Sequence, residues 1–100
     1  MHTDFKLKSK VWIYPGQAAW HFTTLPKKEA QKIKELFAGM TRGFGSIPVT
    51  VSLGKSSWKT SIFPDKKSGS FLLPIKAKIR KEEKIGADQE IVYNLKMEAI

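Results

Sequence analysis

Apolar and polar residues alternate over several short stretches of this chain, and the spacing lays out a series of strands interrupted by two helices. From Phe5 to Tyr14, Phe5, Leu7, Val11 and Ile13 fall on one face and Lys6, Lys8 and Lys10 on the other, the period-two pattern of a half-buried strand. Lysines along the outer face protect a sheet edge from pairing with a neighbour, or begin a basic stripe. Pro15-Gly16 is a turn, and Trp20 to Thr24 returns from it as a second short strand with Trp20 and Phe22 on one face. His21, between them, points to the other face.

The period changes from two to 3.6 after Leu25-Pro26, where proline at the first helical position gives up no needed hydrogen bond. Ala30, Ile33, Leu36 and Phe37 then share one face, Lys27, Lys28, Lys32, Lys34 and Glu35 point away, and Gly39 supplies the stop. A hairpin follows: Ile47, Val49, Val51 and Leu53 alternate with Pro48, Thr50 and Ser52, and Gly54-Lys55 turns the chain into a strand from Trp58 to Phe63. Pro48 must sit at a strand start or an unpaired edge, because it has no N–H for the ladder. After a polar loop from Pro64 to Gly69, Ser70 to Leu73 is a further strand, and Leu73-Pro74 leads into a short helix bearing Ile75 and Ile79. Ile91, Tyr93, Leu95 and Met97 form the inward face of a closing strand. The fold expected is mostly β, a small barrel with two short helices packed over its openings, built as one domain across residues 1–100. Trp20 and Trp58 both fall in strands with apolar or small neighbours, so at least one indole belongs in the core.

Trp20 to Leu53 and Phe71 to Leu95 share a further regularity, since each reads strand, Leu-Pro, helix, turn, strand. This suggests an internal repeat whose two halves complete one barrel within one chain, which predicts a monomer.

Composition narrows the chemistry. The chain has no cysteine, which removes disulfides, thiolate metal sites and cysteine nucleophiles together and suits a reducing cytoplasm. No stretch approaches the roughly 20 apolar residues of a membrane span, and MHTDFKLKSKVW lacks the apolar run of a secretory signal, so a soluble cytoplasmic protein is expected. The formal net charge of +9 points toward anionic partners. Against sequence-specific reading of bases, only Arg42 and Arg80 supply the planar fork that such readout favours; every other cation is lysine.

Several motifs fail at their working positions. Gly54-Lys55-Ser56 imitates the end of a P-loop, but the first glycine would fall on Val49, and a strand follows where a helix is needed. Gly43-Phe44-Gly45 opens a dinucleotide fingerprint whose third glycine would be Pro48. Arg42-Gly43-Phe44-Gly45 also opens the RNA-recognition signature, in a chain that could be condensed to βαββαβ. The stacking aromatics of that signature, however, are replaced by Ser46 and Val49. His2, His21, the aspartates and the glutamates converge on no catalytic or metal-binding spacing, and no Gly-x-Ser-x-Gly elbow surrounds Ser46, Ser57 or Ser61. No metal or cofactor is expected.

Trp20 with Leu25-Pro26, Gly43 to Ile47, Trp58-Lys59-Thr60-Ser61-Ile62-Phe63-Pro64, and Leu73-Pro74-Ile75-Lys76 followed by Ile79-Arg80-Lys81 resemble the uncharacterised bacterial and archaeal family DUF1905. The resemblance covers nearly the whole chain. It implies a double-split β-barrel akin to AbrB-type and MazE-type regulators, in a family sometimes fused to or beside a YdeI/OmpD-associated domain, and it brings no established activity. In the AbrB-like pattern a Gly-Asp turn precedes the last strand. Here Ala87 stands at the glycine position, with Gly86 one residue early, which leaves the geometry of that turn open.

The function expected is a non-enzymatic binding or adaptor module for an anionic partner, nucleic acid or an acidic protein surface. Arg42, Lys55, Lys59, Lys76, Lys78, Arg80 and Lys81 are its candidate contacts. The alternative is a small-molecule or catalytic pocket beside Trp58, Ser61 and Arg80, where an indole face and a fixed cation could hold an anionic organic ligand.

Overall fold

The amino-terminal alternation becomes strand β1, Asp4–Ile13, with Phe5, Leu7 and Val11 buried and its lysines exposed. The structure, a computed structural model, describes residues 4–16, 19–37, 39 and 45–98. The remaining elements are β2 (His21–Thr24), α1 (Lys27–Phe37), β3 (Ile47–Leu53), β4 (Ser56–Asp65), β5 (Ser70–Pro74), α2 (Ala77–Glu83) and β6 (Glu90–Met97). The fold is mostly β: the six strands close into a barrel in the order β1-β2-β5-β4-β3-β6, every neighbouring pair antiparallel. This closed sheet replaces the open βαββαβ arrangement entertained from Arg42-Gly43-Phe44-Gly45; Arg42, Gly43 and Phe44 themselves lie outside the described residues.

Two long strands make closure possible. β1 pairs with β6 from Asp4 to Lys10 and then passes to β2 from Val11 to Ile13. In the same way β4 pairs with β3 from Ser56 to Ile62 and passes to β5 from Phe63 to Asp65. The chain therefore runs through strand, strand, helix, strand twice, and the halves interlock because β2 pairs with β5 and β3 with β6. In the cyclic order β2 lies opposite β3, and β5 opposite β6, so each helical connection must cross an opening of the barrel. Since β2 and β5 run antiparallel, the two helices leave from opposite ends.

One continuous cluster of buried side chains fills the barrel, including Val49, Val51, Ile62, Leu73 and Leu95, and Ala30, Ile33 and Phe37 of α1 and Ile79 of α2 join it. The inward row of β1 contains one polar residue, Ser9, and the core accommodates it by pairing. Its hydroxyl lies 2.6 Å from Thr23 Oγ1 and 2.8 Å from the Tyr93 hydroxyl, and Thr23 donates to the Lys10 carbonyl at 2.8 Å. The network sits where β1 changes partner, and it satisfies polar groups that would be costly to bury alone.

Some positions depart from the simple periodicity. Ile13 and Leu36 are exposed, and Ile75 is buried ahead of α2, not on it. Trp20 and Phe22 share a face as the alternation implies, but it is the outer one: Thr23 and Leu25 are the buried residues there. Before β6 the left-handed residue is Asp88 (φ 66°), one position later than the glycine of the AbrB-like pattern. Aspartate tolerates this conformation. The turn is closed by Gln89 N–H on the Gly86 carbonyl at 3.3 Å and docked to β1 by Asp88 N–H on the Val11 carbonyl at 2.7 Å.

Candidate functional site

The end of the barrel beneath α2 collects side chains from several elements. β5 delivers Pro74 and Ile75 there as it leaves for α2, β4 contributes Trp58 and Lys59 near its start, and the residues entering β2 contribute Trp20 and His21. Antiparallel pairing of β5 with both β2 and β4 places these three strand ends together. Three open depressions result, all bordered by Trp20. One of about 190 Å³ lies between Trp20, His21, Trp58, Lys59 and Lys76. A second of about 220 Å³ runs beside it along Ala19, His21, Lys76 and Arg80. The third, about 360 Å³, is apolar and extends over Tyr14, Phe22 and Leu72.

The two indoles divide the structural work. Trp58 points inward and is 8% exposed, with its edge forming part of the first depression, whereas Trp20 is 57% exposed. The Trp20 and Phe22 rings lie nearly parallel, 16° apart with centroids 6.2 Å from each other, and Trp12 follows at 5.4 Å from Phe22. Tyr14 meets Phe22 edge-on at 6.3 Å. Trp12 also donates its indole N–H to Thr24 Oγ1 at 2.9 Å, which fixes that ring on the barrel wall. These aromatics occupy the outer face because Trp12 and Tyr14 continue the even-numbered row of Lys6, Lys8 and Lys10 on β1.

Arg80 reaches back from α2 so that Nε donates to the Ile75 carbonyl at 3.1 Å, which orients the guanidinium beside the second depression and leaves its terminal amino groups as the remaining donors. His21 Nδ1 lies 2.8 Å from the Ala19 carbonyl. A carbonyl can only accept, so Nδ1 carries the proton and Nε2 is the nitrogen left for other contacts. Ala19 holds a left-handed conformation, φ 48°, which is uncommon for a residue with a Cβ and is found preferentially where a site constrains the backbone. None of the described residues bordering the three depressions is acidic.

Of the sequence-derived anion contacts, the fold brings together Lys59, Lys76 and Arg80. Lys55 sits in the β3–β4 turn, where its backbone N–H donates to Glu83 Oε2 at 3.3 Å, and Lys78 and Lys81 are exposed on α2 without bordering the cleft. Arg42 lies outside the described residues. Of the proposed pocket, Trp58 and Arg80 border adjoining depressions, while Ser61 pairs with Pro48 farther along β4 and borders neither. Sequence reasoning missed Trp20, Tyr14 and Phe22 as surface groups, and it set His21 aside. Among the described residues no group of His, Cys, Asp and Glu is placed to hold a metal ion.

A family model described as a domain of unknown function, DUF1905, matches residues 8–95. No curated protein matches the chain.

Proposed function

We propose that this chain, which belongs to the DUF1905 family, is a non-enzymatic binding module that holds an anionic partner in the cleft beneath α2. The observation carrying this reading is the convergence of Lys59, Lys76 and Arg80 around Trp20, with no carboxylate on the described cleft wall. Lysines spread evenly over a surface serve solubility; a set joined to an exposed indole and an oriented guanidinium is better suited to recognition. General acid–base chemistry asks for a positioned proton carrier and usually a second group to orient it. Among the described residues of the cleft, His21 is the one imidazole, with Nδ1 engaged by a backbone carbonyl.

A small-molecule site at Trp58 and Arg80 is the second reading, supported by the depression between the indole edge and Lys76. Its volume of about 190 Å³ falls short of the roughly 300 Å³ at which enclosed ligand pockets begin, so a ligand lying across the surface fits better. No helix among the described residues is long and apolar enough to cross a membrane.

Inorganic polyphosphate, a polyanion without rings, tests the cleft directly. At low salt it should raise the melting temperature, because a ligand that binds the native state stabilises it. The Lys59→Ala/Lys76→Ala double variant should lose most of that rise, while Lys78→Ala/Lys81→Ala, with the same net charge, should keep it. Equal losses in both variants would reduce the effect to general surface charge and dismiss the cleft.

A further inference from the structure

The cleft does not end at its cations. Trp20 forms a wall of the two depressions that carry His21, Lys76 and Arg80, and also of the apolar one over Tyr14, Phe22 and Leu72. A ligand seated on Trp20 therefore meets positive charge on one side and exposed ring faces on the other. Tyr14 is 54% exposed and Trp20 57%; leaving two such large rings in water forgoes the burial that otherwise favours them, so a surface of this kind calls for an occupant.

Three properties narrow that occupant. It is anionic, since the bordering charges are all of one sign. It carries flat faces, because the nearly parallel Trp20 and Phe22 rings continue to Trp12 and Tyr14 as an aromatic track. It is also extended. The track begins on β1 and the cationic edge ends on β4, which are three strand spacings apart in the order β1-β2-β5-β4, or about 14 Å at the usual ~4.8 Å per strand. The depressions along it are open and individually small. An acidic peptide supplies the charge but not a regular succession of flat faces, and a duplex hides its base faces in the stack.

Resting on the anion-binding reading above, we propose that the partner is a single-stranded nucleic acid. Bases stack on Trp20 and Tyr14, and the backbone phosphates run along Lys59, Lys76 and Arg80. Stacking on aromatic side chains beside a basic groove is sequence-tolerant, because every base has a π-face. That agrees with a cleft in which, among the described residues, Arg80 is the one planar fork for bidentate readout of base edges.

Fluorescence anisotropy with a labelled mixed-sequence single strand of about 16 nucleotides, within the range covered by small single-strand-binding barrels, tests the assignment. Its duplex, inorganic polyphosphate and polyglutamate serve as competitors. The single strand should bind tighter than the duplex and outcompete polyglutamate. Trp20→Ala should weaken it roughly tenfold, Trp20→Phe should restore most of the loss, and Lys59→Ala/Lys76→Ala should weaken it independently. Since Trp20 is exposed, Trp20→Ala should melt with the parent protein, which separates lost binding from lost folding. If polyphosphate binds in a Lys59- and Lys76-dependent manner while Trp20→Ala leaves oligonucleotide affinity unchanged, the nucleic-acid assignment is overturned and the anion cleft stands. Preference for duplex or for polyglutamate overturns it equally. Binding indifferent to Lys59 and Lys76 removes both.

Discussion

Tyr93 places its phenol inside the barrel at 2% exposure, with the Ser9 hydroxyl 2.8 Å away. Burial pushes its pKa up from 10.0 to about 12, and the Ser9 and Thr23 hydroxyls only partly offset that effect. The native state thus favours the neutral phenol more than the unfolded chain does, so this stabilisation is complete below about pH 10 and is lost as pH rises toward about 12. At about 1.4 kcal/mol per pH unit the loss amounts to about 3 kcal/mol at most. Urea denaturation at pH 9 and pH 11 should show a smaller drop in stability for Tyr93→Phe than for the parent, because phenylalanine cannot ionise and lysine titration is common to both. Equal drops would mean that the phenol reaches water in the native state. The alternation of β6 made Tyr93 legible as an inward residue, but its pairing with Ser9 was not, because the hydroxyls come from strands at opposite ends of the sequence. Which face of β2 is the outer one was not legible for a related reason. Period two separates a strand's two faces without saying which is inner, and in a strand as short as β2 the buried Thr23 looks less apolar than the half-buried, outward Phe22 and the exposed Trp20 just before it. Trp12 and Tyr14, in line with the β1 lysines, were the available signal for an aromatic outer face.

Elements were read well where a turn or proline punctuates the chain. Gly54-Lys55 joins β3 to β4 with Leu53 opposite Ser56, a two-residue loop in which Gly54 takes φ 60° and fulfils the glycine-first pattern of hairpin turns. What the sequence could not disclose is that α2 anchors this turn. Glu83 accepts from the Lys55 backbone N–H at 3.3 Å and from the Ser56 hydroxyl at 2.7 Å, and a Cβ on Gly54 would run into its carboxylate. Gly69, with φ 73°, closes the β4–β5 turn with open space around it. Gly69→Ala should therefore cost only backbone strain, about 1 kcal/mol. Gly54→Ala should cost more, since it adds the loss of the Glu83 contacts to the same strain. Denaturation midpoints of the two variants check the order; equal midpoints would show that the Glu83 tie contributes nothing to the docking of α2.

At the scale of the molecule, the internal repeat noticed at Leu25-Pro26 and Leu73-Pro74 corresponds to strand, strand, helix, strand traversed twice, with each half donating one long strand that changes partner. Pairing across the halves was beyond sequence reasoning: the β2–β5 and β3–β6 contacts join segments whose only identical feature is Leu-Pro, and register between distant strands follows from closure of the whole sheet. The doubled order of elements supports the reading that one chain supplies both halves of the barrel. Each of the six described strands has a neighbour on both sides, so among the described residues no strand is left with an open side to recruit one from a second copy. The Cα radius of gyration, 12.9 Å, matches the roughly 13 Å of one compact domain of this length, and the closed sheet is the ground for expecting a monomer. The competing force is the outer aromatic track of exposed Tyr14 and Trp20 and half-buried Phe22, through which two copies could associate without exchanging strands. A net charge of +9 opposes such an encounter, and it does so less as salt shortens the Debye length from about 10 Å at 0.1 M to about 3 Å at 1 M. Light scattering should accordingly give the monomer mass at micromolar concentration and low salt. A dimer that persists on dilution and survives Trp20→Ala would mean that strands are exchanged between chains, overturning the one-chain barrel; a dimer abolished by Trp20→Ala would leave the barrel intact and place the contact on the aromatic track.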